Sequence, residues 1–310
     1  LGVTADNKSF YYLDPSYADT TTLCIASLDP DLPNKESIFH SPLSDIQDIL
    51  FDPITKKPRA VSHEYLKMRW SILDSKIQED WDYLQSVSEG KMHLVGCSLD
   101  DQKWIIAYLY DNKVSEYYFY DRSKRTANFL FTSNKKLEGL PLTEMQALII
   151  PSRDALSLSA YLSLPKEGPQ ENLPMVLWVH GGPGARDSWG YNPIHQWLTN
   201  RGYAVLNVNY RGSTGFGKKF MNLGNREWSK TMHDDLIDAV NFCIDKKIAD
   251  PKKIAIAGGS YGGYAALVGL TFTPEVFACG VDIVGPSNIQ TLLNSIPPYW
   301  KPALKALEFR

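Results

Sequence analysis

A strand that must become a helix within a few residues is the strictest demand this sequence makes on its fold. Ile254-Ala-Ile-Ala257 alternates large and small apolar residues as a short buried strand does, and Tyr264–Leu270 is an apolar run suited to a packed helix. Between them stands Gly258-Gly-Ser-Tyr-Gly-Gly263, with Ser260 at the apex. Glycines at 258 and 262 let the strand turn abruptly and leave the serine strained and exposed above the helix N-terminus. That geometry suits a nucleophile; a structural tight turn is the alternative. Gly-x-Ser-x-Gly alone arises by chance in roughly one chain in ten of this length, at about 7% usage each for Gly and Ser. The strand before, the helix after and a second glycine-rich corner upstream are what favour the nucleophile.

The 310 residues, 44% hydrophobic and 22% charged, are enough for two globular domains. A formal net charge of -3 provides no basic field to attract nucleic acid or anionic lipid. Cys24, Cys97, Cys243 and Cys279 are scattered, which argues against a zinc site or a disulfide framework. No apolar run approaches the length of a membrane span. Leu1 is not an initiator methionine, so the natural start is expected to be missing. Compartment stays open, with a soluble cytoplasmic location as the default expectation.

From Leu1 to Leu137 the pattern is all β. Ser9–Leu13, Thr21–Ser27, Met92–Ser98, Trp104–Tyr110 and Glu116–Tyr120 read as strands, split by turn formers such as Leu28-Asp-Pro-Asp31 and Asp111-Asn-Lys113. Their spacing predicts antiparallel blades of a β-propeller, with a β-sandwich as the rival. Ser75–Leu84 places Ile77, Trp81 and Leu84 at helical intervals. His40, His63 and His93 lie apart without metal-type spacing and read as structural.

From residue 138 to 310 strand alternates with helix. Met175–Val179 is a continuous apolar strand of the parallel, doubly covered kind, ending in His180-Gly-Gly-Pro-Gly184. Tyr203–Asn209 is the next strand, ending in Tyr210-Arg-Gly-Ser-Thr-Gly-Phe-Gly217. Thr231-Met-His-Asp234 is expected to cap a helix whose apolar stripe runs through Leu236, Val240 and Cys243. After the elbow helix come a strand at Ala278–Val284 and a short helix within Ser287–Ser295.

A serine hydroxyl needs a base to take its proton, and the tetrahedral intermediate needs N–H donors for its oxyanion. In an α/β-hydrolase, with its doubly wound and mostly parallel sheet, the donors are two backbone N–H groups. One belongs to the residue after the nucleophile, here Tyr261, and one to the glycine-rich loop, here Gly182. The fold's chain order is nucleophile, acid, histidine. No histidine follows Ser260; His40, His63, His93, His180, His195 and His233 are all upstream, and Asp282 is the only later aspartate. Asp282 lies in an apolar strand and reads as a strand residue, His180 as a loop-shaping residue. The triad Asp and His are therefore expected to be absent, the hydrolase domain being cut short before them.

His180-Gly-Gly-Pro-Gly, Asn209-Tyr-Arg-Gly-Ser-Thr-Gly-Phe-Gly217, Met232-His-Asp-Asp-Leu-Ile-Asp-Ala-Val240 and Gly258-Gly-Ser-Tyr-Gly-Gly-Tyr264 together resemble the prolyl oligopeptidase family of serine peptidases. The acylaminoacyl-peptidase and dipeptidyl-aminopeptidase branch is the most similar. Phe51–Val61 and Trp70–Leu84 are similar to the propeller half of bacterial members. The resemblance implies a fragment lacking both ends: part of a propeller over 1–137, then a truncated hydrolase over 138–310. It implies a serine peptidase of short peptides acting through an acyl-enzyme on Ser260, without metal or cofactor. Ile289, Leu292 and Leu293 fall where the family's specificity pocket is walled. No paired-glutamate motif of the dipeptidyl peptidases is found in Leu1–Leu137, so exopeptidase and endopeptidase readings stay open. An esterase of the same fold, and a propeller-bearing binding protein without catalysis, are the alternatives. Asp154-Ala155 stands where relatives tend to have Asp-Gly, which predicts a slightly different turn. The 310 residues alone are expected to be inactive and prone to aggregate, because stacked blades bury their faces only against one another.

Overall fold

A computed structural model describes residues 1–31 and 34–300. The expected second domain runs on to 310, and residues 301–310 lie outside the described part. The chain forms two compact units, Leu1–Pro141 with Gly215–Gly217, and Leu142–Thr214 with Lys218–Arg310.

The first unit is built of antiparallel meanders taken in chain order. β1 (Gly2–Val3), β2 (Ser9–Asp14), β3 (Thr22–Ser27) and β4 (Lys35–His40) form one sheet; β5 (Ile46–Phe51), β6 (Pro58–Glu64) and β7 (Met68–Ile72) form the next. After helix α1 (Gln78–Val87) come β8 (Lys91–Cys97), β9 (Lys103–Leu109), β10 (Glu116–Asp121) and β11 (Thr126–Thr132). Each sheet packs on its successor. Tyr11 and Leu23 meet Ile46 and Val61 in one core, and Ala60 meets Trp104, Ile106, Tyr108 and Tyr120 in another, which Ile77, Trp81 and Leu84 complete. Successive meanders stacked face to face are propeller blades, and the sandwich alternative falls away. Buried Arg59 of β6 adds a polar tie to the third sheet, reaching Asp101 at 2.8 Å.

The second unit holds a six-stranded sheet. Its strands are β12 (Gln146–Pro151), β13 (Ser157–Ser163), β14 (Leu173–Val179), β15 (Ala204–Val208), β16 (Ala249–Gly259) and β17 (Cys279–Ile283), in the order β12-β13-β15-β14-β16-β17. β12 and β13 are antiparallel, whereas β14 is parallel to both β15 and β16, and β16 to β17. Helices α2 (Pro193–Thr199), α3 (Gly217–Asn222), α4 (Thr231–Asp245) and α5 (Tyr261–Phe272) provide the crossovers, and α6 (Ile289–Ser295) follows β17. Order and direction are those of an α/β-hydrolase. The burial of β15 on all five residues is the mark of a strand covered on both faces.

One expectation changes in detail. α4 begins after Lys230 without a side-chain cap, and Thr231 sits inside its first turn with its hydroxyl donating to Glu227 at 2.7 Å. Ala155 adopts a φ of 66°, the left-handed conformation a glycine takes without strain. An Ala155 N–H bond to Ser152 O at 2.9 Å closes it.

Candidate active site

β16 runs into α5 at Ser260, the N-cap residue, whose φ of 56° and ψ of −118° are strained for a residue bearing a side chain. The turn has no room for side chains on either flank. A Cβ at Gly262 would stand 2.0 Å from the Val179 carbonyl oxygen, and one at Gly258 2.5 Å from the same atom. The end of β14 is thereby pressed into the elbow. Ser260 N–H donates to Ile283 O at 2.9 Å, and Tyr264 N–H to Ser260 O at 3.0 Å, which fixes the serine between β17 and α5. Its side chain is exposed and, among the described residues, makes no hydrogen bond.

The loop after β14 lies against this corner: a Cβ at Gly181 would meet the Ser260 Cβ at 3.4 Å. Gly182, Ser260 and Tyr261 line one cavity of about 450 Å³. Among the described residues the N–H groups of Gly182 and Tyr261 donate to nothing, Tyr261 being the first residue of α5, whose N–H has no partner within the helix. Two free donors beside an exposed hydroxyl are the elements of an oxyanion site.

Neighbouring side chains brace the loop. His180 is 7% exposed, stacked on Tyr210 at 4.4 Å and 14° between planes. Burial lowers its pKa, against the opposing charge of Asp187. Its Nδ1 lies 2.8 Å from the Gly181 carbonyl, and its Nε2 lies 2.9 Å from the Ser213 hydroxyl, which itself donates to Tyr210 O at 2.7 Å. The Tyr210 hydroxyl donates to His180 O at 3.0 Å. At the far end of the loop the Asn209 amide accepts from Asp187 N–H at 2.7 Å and donates to Asp187 O at 3.1 Å.

Among the described residues, His180, His195 and His233 are each bonded to groups other than Ser260. Both ring nitrogens of His180 are used within the loop. His195 is buried between Ser163 and Asn207, and burial lowers its pKa to about 4. His233 binds Thr273 at 3.0 Å, and burial lowers its pKa too. Asp282 accepts from Gly285 N–H at 2.6 Å, a turn contact that matches its reading as a strand residue.

The cavity wall also takes in Trp228, Val284, Asn288, Thr291, Leu292 and Ser295. Of the three expected pocket residues, Leu292 lines it, whereas Ile289 and Leu293 do not. Positions 288, 291, 292 and 295 share one helical face and 289 and 293 belong to another, so the face, rather than apolarity, selects the wall. Trp228, packed on Tyr261 at 4.7 Å, comes from a segment with no periodic signal before α4. Among the described residues no cluster of His, Cys, Asp and Glu is arranged for a metal ion, and no helix is long and apolar enough to cross a membrane.

A family model described as the prolyl oligopeptidase family matches residues 189–301. Dipeptidyl aminopeptidase BIII of Pseudoxanthomonas mexicana is 47% identical over 306 residues, which is 96% of this chain and 44% of that protein. Dipeptidyl peptidase family member 6 of Caenorhabditis elegans is 38% identical over 316 residues, 95% of this chain and 43% of that protein. A solved puromycin-hydrolyzing peptidase of Mycobacterium tuberculosis matches with a TM-score of 0.73 at 21% identity, over 96% of this chain and 46% of its own. That last likeness is one of fold. The chain spans less than half the length of each. With propeller blades, a hydrolase sheet and a serine elbow in family order, and with identity running over nearly its whole length, the chain belongs to the prolyl oligopeptidase family.

Proposed function

We propose that these residues are part of a serine peptidase of short peptides, with Ser260 as nucleophile and the N–H groups of Tyr261 and Gly182 as oxyanion donors. The observation that carries the reading is the exposed, strained hydroxyl opening on a cavity that it shares with two unpaired donors. Ser260 Oγ attacks the scissile carbonyl carbon, its proton passes to a base, and the carbonyl oxygen becomes an oxyanion between the two N–H groups. Collapse breaks the C–N bond and releases the amine with that proton; water then cleaves the acyl-serine ester. The histidine and its acid come from outside the 310 residues, since each histidine near the sheet is bonded elsewhere.

Removal of dipeptides is the finer reading, supported by two relatives named for dipeptidyl activity at 47% and 38% identity. Leu292 is the residue of α6 that faces the acyl side chain; Leu292→Asp is expected to change the preference among apolar and charged side chains next to the scissile bond. Unchanged preference would remove it from the pocket.

The test is labelling with a fluorophosphonate probe, run on the 310 residues and on the full natural chain. Labelling of the full chain alone, lost in Ser260→Ala, is expected. Labelling of the 310 residues as well would place the base among the upstream histidines, and labelling that survives Ser260→Ala would sink the nucleophile. Faster turnover of p-nitrophenyl acetate than of any peptide p-nitroanilide would point to an esterase instead.

A further inference from the structure

Arg211 is 5% exposed and Asp235 of α4 is fully buried. The Asp235 carboxylate grips Arg211 twice over. It accepts from the guanidinium at Nε (2.9 Å) and Nη2 (2.7 Å), and also from the Arg211 backbone N–H at 2.8 Å. Asp154, on the turn between β12 and β13, takes only the outer edge of the same guanidinium, at 2.9 Å to Nη1 and Nη2, and is half-exposed. Hydrogen bonding to Asp235 raises the Arg211 pKa, so the cation is permanent.

A buried ion pair is weak evidence for stability, because desolvation offsets most of the attraction. The backbone bond is the informative part. It ties the main chain at Arg211 to a helix, at the middle of the segment whose neighbours hold the glycine-rich loop. On one side stand Asn209, clasping Asp187, and Tyr210, bonded to His180 O; on the other stand Ser213, on His180 Nε2, and Thr214, whose N–H donates to Ala185 O at 2.9 Å. The loop so held carries Gly182 N–H. A planar peptide sets that N–H opposite the Gly181 carbonyl, so the loop's orientation aims the donor.

We infer that Asp235, acting through the main chain of Arg211, is a positioning residue for the Gly182 oxyanion donor. The inference rests on the peptidase reading above. A donor displaced by a fraction of an ångström binds the ground-state carbonyl nearly as well but the oxyanion worse, so the loss falls on turnover. Asp154 shares the cation but not the backbone bond, and is the internal control.

The experiment uses the full natural chain. In Asp235→Asn, kcat is expected to fall about 10- to 100-fold with KM within about twofold, and the affinity for a peptide aldehyde, whose adduct carries the oxyanion, to fall by the same factor. Asp154→Asn is expected to leave kcat within about twofold. Equal losses in both variants, or an Asp235→Asn enzyme that melts earlier yet turns over normally per labelled molecule, would overturn the inference. Should Asp235→Asn not fold, Tyr210→Phe decides, since it keeps the ion pair and the ring stack and cuts the hydroxyl bond to His180: a fall in kcat of about tenfold supports the relay, and an unchanged kcat overturns it. Activity that survives Ser260→Ala would fail the peptidase reading instead, whatever Asp235 does.

Discussion

At the scale of single residues, the elbow admits almost no substitution. A methyl group at Gly262 would lie 2.0 Å from a backbone oxygen, which no rotamer change relieves. Gly262→Ala is therefore expected to cost at least about 3 kcal/mol, the upper end for overpacking, and to abolish probe labelling of the full chain. A denaturant midpoint close to that of the unsubstituted protein would show that β14 and the elbow can part. Ala155 offers the reverse case. A side chain in the left-handed region costs about 1–2 kcal/mol, and glycine loses about 0.4–1 kcal/mol of that advantage through its freer unfolded chain. Ala155→Gly is expected to raise stability by about 0.5–1 kcal/mol, read from the same midpoint. A loss of stability would mean that the φ of 66° carries no strain.

At the scale of elements, α2 is docked on the sheet through His195, 1% exposed between Ser163 of β13 and Asn207 of β15. Burial lowers this histidine from the ordinary value near 6.5 to about 4. Between those two pH values the unfolded chain binds the proton and the folded one does not, so stability is whole above about 6.5 and falls as pH drops toward 4. The loss is on the order of 3 kcal/mol, and His195→Gln is expected to flatten that part of the stability–pH curve. An identical curve in the variant would put the pH dependence elsewhere. The elements themselves were largely legible. Met175–Val179 is apolar throughout because it is covered on both faces, and the Ile-Ala alternation of 254–257 is the pattern of a strand whose neighbours come close. The bracing of the loop was not legible. Tyr210 meets His180 across 30 positions and Arg211 meets Asp235 across 24, and no local period records such contacts. The pocket was legible only in part: the resemblance pointed to Ile289, Leu292 and Leu293, and of these only Leu292 shares the helical face that turns Asn288, Thr291 and Ser295 inward.

At the scale of the whole molecule, two sheets end on apolar edges among the described residues. β11 exposes Phe129, Leu130 and Phe131, and β17 exposes Val281 and Ile283. Unpaired strands of this kind invite other strands. The 310 residues alone are expected to self-associate, and Phe129→Lys with Val281→Lys to reduce light scattering at equal concentration. Scattering that the charges leave unchanged would locate the sticky surface elsewhere. Global stability also bears the conformation of Ser260. A backbone held at φ 56° and ψ −118° costs about 1–3 kcal/mol, which glycine would mostly relieve. A lineage that no longer needed the hydroxyl would gain about 1 kcal/mol by drifting to glycine there. On the proposed nucleophilic reading, serine at this corner would record selection for chemistry against selection for stability, and in a relative that had lost catalysis the apex is expected to drift to glycine.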